Sequence, residues 1–330
     1  MRAEYLRNTL TALFDAKRTV CIEGPPGGGK TSIVRQVARE LDVHYIERHL
    51  PTSLVEDFGI PNISGDTLAF MVPDWFPAKG SKYDDGRGGI LCFDDRNQAS
   101  NDLQKLLANI CQAKTLHGVA MADGWQVIST GNRQADRAGA NRVLSHLRNR
   151  ETVLELDTHL DDWRKWALEN NVVTEVVSFI GWRPQLLHKF DADADCNPTP
   201  RSWVEGVSDV LGIVPKDVEY ECFAGAIGEG AASEFVGFMR IFRKLPNPDA
   251  VLLNPESADV PTDPATLHAL AGAIAERITV SNIERAVSYL ERLSGEFGVL
   301  AMSRAIKRDP ELQNTKGFTD WAINNQDLLF

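Results

Sequence analysis

Gly24-Pro25-Pro26-Gly27-Gly28-Gly29-Lys30-Thr31 is the stretch on which the reading of this chain turns. It satisfies G-x-x-x-x-G-K-[ST] at every fixed position, and the chemistry explains the residue types. Glycines let the backbone turn its N–H groups inward around phosphate oxygens, where side chains would block the approach. Lys30 is placed to reach the β- and γ-phosphates, and the Thr31 hydroxyl to ligate Mg²⁺. Ser32 follows at the start of a helix whose positive end points at the anion. The expected ligand is a nucleoside triphosphate, ATP with Mg²⁺.

The flanking sequence supplies the context that such a loop needs. Thr19 to Glu23 is a short β-prone run before the loop, and Ile33, Val34, Val37 and Leu41 recur at helical spacing after it. Leu6, Leu10, Leu13 and Phe14 predict a helix within residues 1–18. Further strands are expected at Val43–Ile46, Ile90–Phe93, Val127–Ser129 and Thr152–Leu156, with a helix over Asp102–Gln112 and a hairpin over Thr115–Trp125. Short apolar strands alternating with helices predict a parallel α/β sheet with the loop at its phosphate-binding edge. Ile90-Leu91-Cys92-Phe93-Asp94-Asp95 then reads as a buried strand ending in two acids. Asp94 would hold Mg²⁺ through water and Asp95 would orient the attacking water.

Beyond Asp157 the strand patterns give way to helical ones. Trp163, Trp166, Val173, Val176 and Val177 read as core residues. The connector Leu245–Pro264 carries five prolines and is expected to be extended. Ser281-Asn282-Ile283-Glu284 matches a capping box opening a helix with Ile283, Val287, Leu290 and Leu293 on its apolar side. The expected domains are 1–156 (α/β, nucleotide-binding), 157–225 (helical lid) and 226–330 (helical extension containing the connector 245–264).

Composition narrows the classes. The chain has 330 residues, 43% of them apolar, and a formal charge of −11. The acidic balance disfavours nucleic acid, whose binding rests on phosphate neutralisation. No run of about 18 apolar residues predicts a membrane span. The five scattered cysteines form no C-x-x-C pair and suit a reducing, cytoplasmic setting, with Cys21 and Cys92 as small core residues. The seven histidines show no paired metal-ligand spacing.

Over about residues 1–210 the sequence resembles the MoxR branch of the AAA+ ATPases. The resemblance rests on the glycine loop, on Phe93-Asp94-Asp95-Arg96-Asn97-Gln98-Ala99, and on Ile128-Ser129-Thr130-Gly131-Asn132. Leu147-Arg148-Asn149-Arg150 before a strand, Thr199-Pro200-Arg201, and the segment Glu56–Pro61 also belong to that pattern. It implies a P-loop NTPase core with a helical lid. It further implies Asn132 as the amide that senses the γ-phosphate, Arg150 (or Arg148) as an arginine offered to a neighbouring subunit, and Arg201 as a second sensor. A hexameric ring acting on a protein client, beside a partner with a von Willebrand factor A domain, is implied by the resemblance alone. The sequence departs from the family at Asp95, where a Glu is usual. The shorter acid implies slow hydrolysis, and it keeps open a nucleotide-gated assembly or scaffold protein. A nucleic-acid motor is the remaining alternative.

Overall fold

The computed structural model describes residues 1–64, 66–133, 143–243 and 245–325. The chain divides into two compact units, residues 1–165 with 188–201, and residues 166–187 with 202–330.

The first unit opens with α1 (Ala3–Asp15), β1 (Val20–Gly24), α2 (Lys30–Glu40) and β2 (His44–His49). Then come β3 (Ile60–Ser64), β4 (Thr67–Met71), β5 (Gly89–Asp94) and α3 (Asn101–Ala113). A small hairpin, β6 (Thr115–Leu116) and β7 (Val119–Ala120), precedes β8 (Trp125–Asn132), α4 (Ser145–Arg148), β9 (Thr152–Glu155) and the start of α5 (Leu160–Glu169). Five strands form one sheet in the order β2-β5-β8-β1-β9, and every neighbouring pair is parallel. This is the expected α/β fold.

Period-two alternation explains how the sheet is covered. Ile90 and Cys92 of β5 enter a core with Leu6 and Leu10 of α1 and Val34 and Val37 of α2. Leu91 and Phe93 of the same strand enter a second core with Leu103 and Leu107 of α3. A strand covered on both faces must be apolar at every position, which is why Ile90–Phe93 reads as an unbroken run. Each such side chain, fully buried, contributes about 1.5–3 kcal/mol. β8 is also buried throughout, yet it carries polar residues. Gln126 donates to the Arg18 carbonyl at 2.7 Å, Ser129 to Glu151 at 2.5 Å and Thr130 to Asp94 at 2.6 Å. Ser129 and Thr130 are tolerated inside through these bonds, whereas the Oε1 of Gln126 is buried without a partner among the described residues.

Three expectations are corrected here. Trp125 lies in β8, so the hairpin ends at Ala120 rather than Trp125; its turn is His117-Gly118, both at positive φ. The segment 60–71, outside every expected strand, forms the antiparallel pair β3–β4. The helix after the glycine loop begins at Lys30, two residues before Ser32, because Gly29 at φ 90° serves as its N-cap.

The second unit is helical. It holds α6 (Thr174–Trp182), the end of α7 (Pro200–Trp203), α8 (Glu219–Ile227), α9 (Glu229–Phe242) and α10 (Pro248–Leu253). α11 (Pro264–Ala275), α12 (Ile283–Leu290), α13 (Gly295–Arg308) and α14 (Lys316–Asn324) complete it. Phe179 of α6 meets Trp203, Phe235 and Phe238 with ring centroids 5.2–5.4 Å apart, within the range of favourable aromatic pairs. The connector 245–264 is not extended throughout: Asn247 caps α10 through the N–H groups of Asp249 and Ala250, and Pro248 sits at N1. The Ser281 capping box does not form. Asn282 is the N-cap of α12, and its side chain turns back to Thr279 N–H and the Arg277 carbonyl. Among the described residues, no helix is long and apolar enough to cross a membrane.

Candidate functional site

Parallel strands in register place their last residues along one edge. Gly24 of β1 pairs with Asn132 of β8, and His49 of β2 pairs with Asp94 of β5. Open α/β sheets bind ligands outside this carboxyl edge.

The glycine loop begins at Gly24. Gly27 has φ 67°, and a Cβ there would lie 2.5 Å from Thr199 Oγ1 and 2.7 Å from Thr199 Cβ. Gly29 has φ 90° with open space around it, so there the backbone angle alone asks for glycine. Gly28 N–H bonds the Pro25 carbonyl at 3.2 Å, closing the turn. Segment 188–201 packs over this loop: His188 Nε2 donates to the Pro26 carbonyl at 2.8 Å, and Arg201 N–H to the Gly27 carbonyl at 3.2 Å. Sequence reasoning found Arg201 but not His188, which carries no motif.

Lys30 is buried, and its ammonium donates to the Gly24 and Pro25 carbonyls at 3.0 Å and to Asn132 Oδ1 at 2.9 Å. Asn132 is itself fixed by Asn97. The Asn97 amide donates to the Asn132 carbonyl at 2.7 Å, and Asn97 Oδ1 accepts from Asn132 N–H at 3.2 Å.

Asp94 Oδ1 accepts from the Thr31 hydroxyl at 2.5 Å and from Thr130 at 2.6 Å, while Oδ2 lies 3.4 Å from His49 Nδ1. Burial alone would raise the pKa of Asp94. The Thr130 and Thr31 hydroxyls and His49 outweigh it, and the carboxyl is held below its usual range. Asp95 goes the other way: burial and the charge of Asp94 push it up, against the pull of Lys30, His49 and Arg201. Its backbone is left-handed, φ 53° and ψ 47°, and its N–H bonds Thr130 Oγ1 at 3.1 Å. Thr31 and Asp94 present hard oxygen donors side by side, which fits Mg²⁺. Although the histidines show no metal spacing in sequence, strand register brings His49 beside Asp94 and Asp95, the three donor atoms lying within 4.8 Å of one another.

The two candidate arginines stand apart from this group. Arg150 donates to Gln112 Oε1 at 2.5 Å and to the His146 carbonyl at 2.8 Å. Arg148 is exposed and lies 3.6 Å from Glu23. Ser32 is exposed in the first turn of α2.

A buried ion cluster lies behind these segments, and no motif announced it. Arg96 and Glu151 have side chains at 0% exposure and are ion-paired, and Arg96 also bonds Glu23 at 2.8 Å. Breaking such a pair by removing one partner costs about 3–5 kcal/mol.

Residues 19–150 match the family described as AAA domain (dynein-related subfamily). Among solved structures, the chain is similar to the crystal structures of NtrX from Brucella abortus in complex with ADP and in complex with ATP. Each is 12% identical, covering 99% of this chain and 68% of that one, with TM-scores of 0.41 and 0.42. No curated protein sequence matches the chain.

Proposed function

With an AAA domain over residues 19–150 as its premise, we propose that this chain is a MoxR-type AAA+ ATPase that binds ATP with Mg²⁺, hydrolyses it, and remodels a protein partner as an oligomeric ring. One observation carries the reading. Two loop residues, Lys30 and Thr31, are hydrogen-bonded directly to Asn132, which ends β8 beside β1, and to Asp94, which ends β5 on the far side of β8.

The chemistry follows from where charge must be held. Loop N–H groups and Lys30 bind the phosphates, and Asn132, already bonded to Lys30, is set to meet the γ-phosphate. Mg²⁺, when bound there, would supply positive charge to offset that of the phosphates. Thr31 and Asp94 would hold it. Asp95 orients the water that attacks phosphorus, and ADP leaves with the displaced oxygen. Arg201, whose charge reaches Asp95, steadies the phosphates in the same subunit. Arg150 or Arg148 of a neighbouring subunit completes the site. The protein client, with a von Willebrand factor A domain partner, and the hexameric ring are part of this proposal.

ATP turnover by wild type and Lys30→Ala tests it. Loss of turnover in the variant is expected, and an unchanged rate would sink the ATPase reading.

A second reading, a nucleotide-gated assembly protein with incidental turnover, draws on Asp95. Its carboxylate is one methylene shorter than Glu, so it is a weaker anchor for water. Single-turnover assays at high protein concentration separate the two. Absence of both burst and steady state favours the assembly protein.

A further inference from the structure

The buried cluster of Arg96, Glu151 and Glu23 ties together three segments that the proposed reaction needs. Arg96 follows Asp95, Glu151 follows Arg150, and Glu23 precedes Gly24. Arg96 is ion-paired with both carboxylates, one of them completely buried, and Glu151 also accepts from Ser129 at 2.5 Å inside β8. Glu23 in turn faces Arg148 at 3.6 Å. A chain of contacts therefore runs from Ser129 through Glu151, Arg96 and Glu23 to Arg148, with each functional segment one residue away.

Stability alone is a poor account of such a cluster. Burying charges is costly, and packed apolar side chains of similar volume commonly serve a core as well or better. What an ion cluster supplies in return is fixed geometry. The guanidinium is planar and forked, so it holds two carboxylates at set directions, and a change at one is felt at the other.

We infer that Arg96 and Glu151 are positioning residues, which fix the Arg148–Arg150 segment to the acid end of β5 and to the threshold of the glycine loop. The ion cluster then sets how a subunit's arginines are presented to the next subunit. This inference rests on the ATPase reading above and deepens it.

The test uses full-length protein. Glu151→Gln removes the charge but keeps the shape and the acceptor for Ser129. Arg96→Lys keeps the charge and loses the fork. Fluorescent mant-ADP counts competent sites, so turnover is expressed per bound nucleotide. Both variants are expected to bind mant-ADP within about threefold of wild type, yet to turn over ATP at least about tenfold more slowly. The defect should lie in the arginines offered to a neighbour. Mixing either variant with Lys30→Ala subunits, which keep those arginines intact, should therefore recover part of the lost turnover.

Normal turnover per site in both variants, beside an active wild type, overturns the inference. So does a slow variant that no mixture rescues, since a merely structural role predicts a lowered thermal midpoint and no recovery. Should Glu151→Gln fail to fold, Arg96→Lys alone decides. A wild type that never hydrolyses ATP is a different failure, because it removes the ATPase reading itself.

Discussion

Lys30 Nζ lies 2.9 Å from Asn132 Oδ1, so the lysine of the glycine loop and the amide at the end of β8 are one hydrogen-bonded unit. Lys30→Ala removes both the phosphate-facing charge and the group that orients Asn132. A hydrogen bond to a charged group contributes about 1.5–3 kcal/mol, so nucleotide affinity should fall roughly 10- to 150-fold. Titration with mant-ATP measures it, and an affinity within twofold of wild type contradicts the placement.

Asn132→Ala should behave differently. Asn97 grips the Asn132 backbone, which any residue supplies, so strand end and loop stay in place. Binding is expected to change little. Turnover should drop by about 10²–10³, as when a preorganised polar group is removed from a reacting centre. Equal losses in binding and turnover would assign Asn132 to ground-state binding instead.

Gly27→Ala puts a methyl into Thr199 and a side chain on a backbone at φ 67°. The angle alone costs about 1–2 kcal/mol, and the overlap adds to it. Thr199→Gly on top of Gly27→Ala should return the steric part and leave the angular part. Thermal unfolding of the two singles and the double measures this coupling, and strictly additive effects would show that the two residues do not meet.

Thiol labelling reads the core. Burial pushes the Cys21 and Cys111 thiols up to about 11, and Cys92 higher still, so little thiolate exists at pH 8. Cys222 is exposed. A maleimide at pH 8 should label Cys222 quickly, and Cys21, Cys92 and Cys111 only after denaturant is added. Mass spectrometry of the labelled peptides decides, with fast labelling of Cys92 as the contrary result.

How far the sequence could be read follows from the range of the forces involved. The glycine loop was legible because backbone angle, anion charge and helix start all act within eight residues. Ile90–Asp95 was legible because two-sided burial demands an apolar run. β8 is legible only over Val127–Ser129, since its polar residues bond Arg18, Glu151 and Asp94, partners distant in sequence. Arg96 with Glu151, His49 beside Asp94, and His188 on Pro26 are likewise meetings that only the folded sheet creates. α10 is harder to read: Asn247 and Pro248 spell a helix start, but five prolines over 245–264 equally suit an extended chain.

The left-handed backbone at Asp95 decides which substitutions there can be read cleanly. Aspartate and asparagine tolerate that conformation better than most residues, and a longer side chain has less reason to. Asp95→Glu therefore alters two things at once: it extends the acid and it stresses the turn that carries it. Asp95→Asn leaves the main chain content and subtracts only the negative charge. Of the two, the amide variant isolates what the carboxylate does, while the glutamate variant also probes the stiffness of the peptide that aims it.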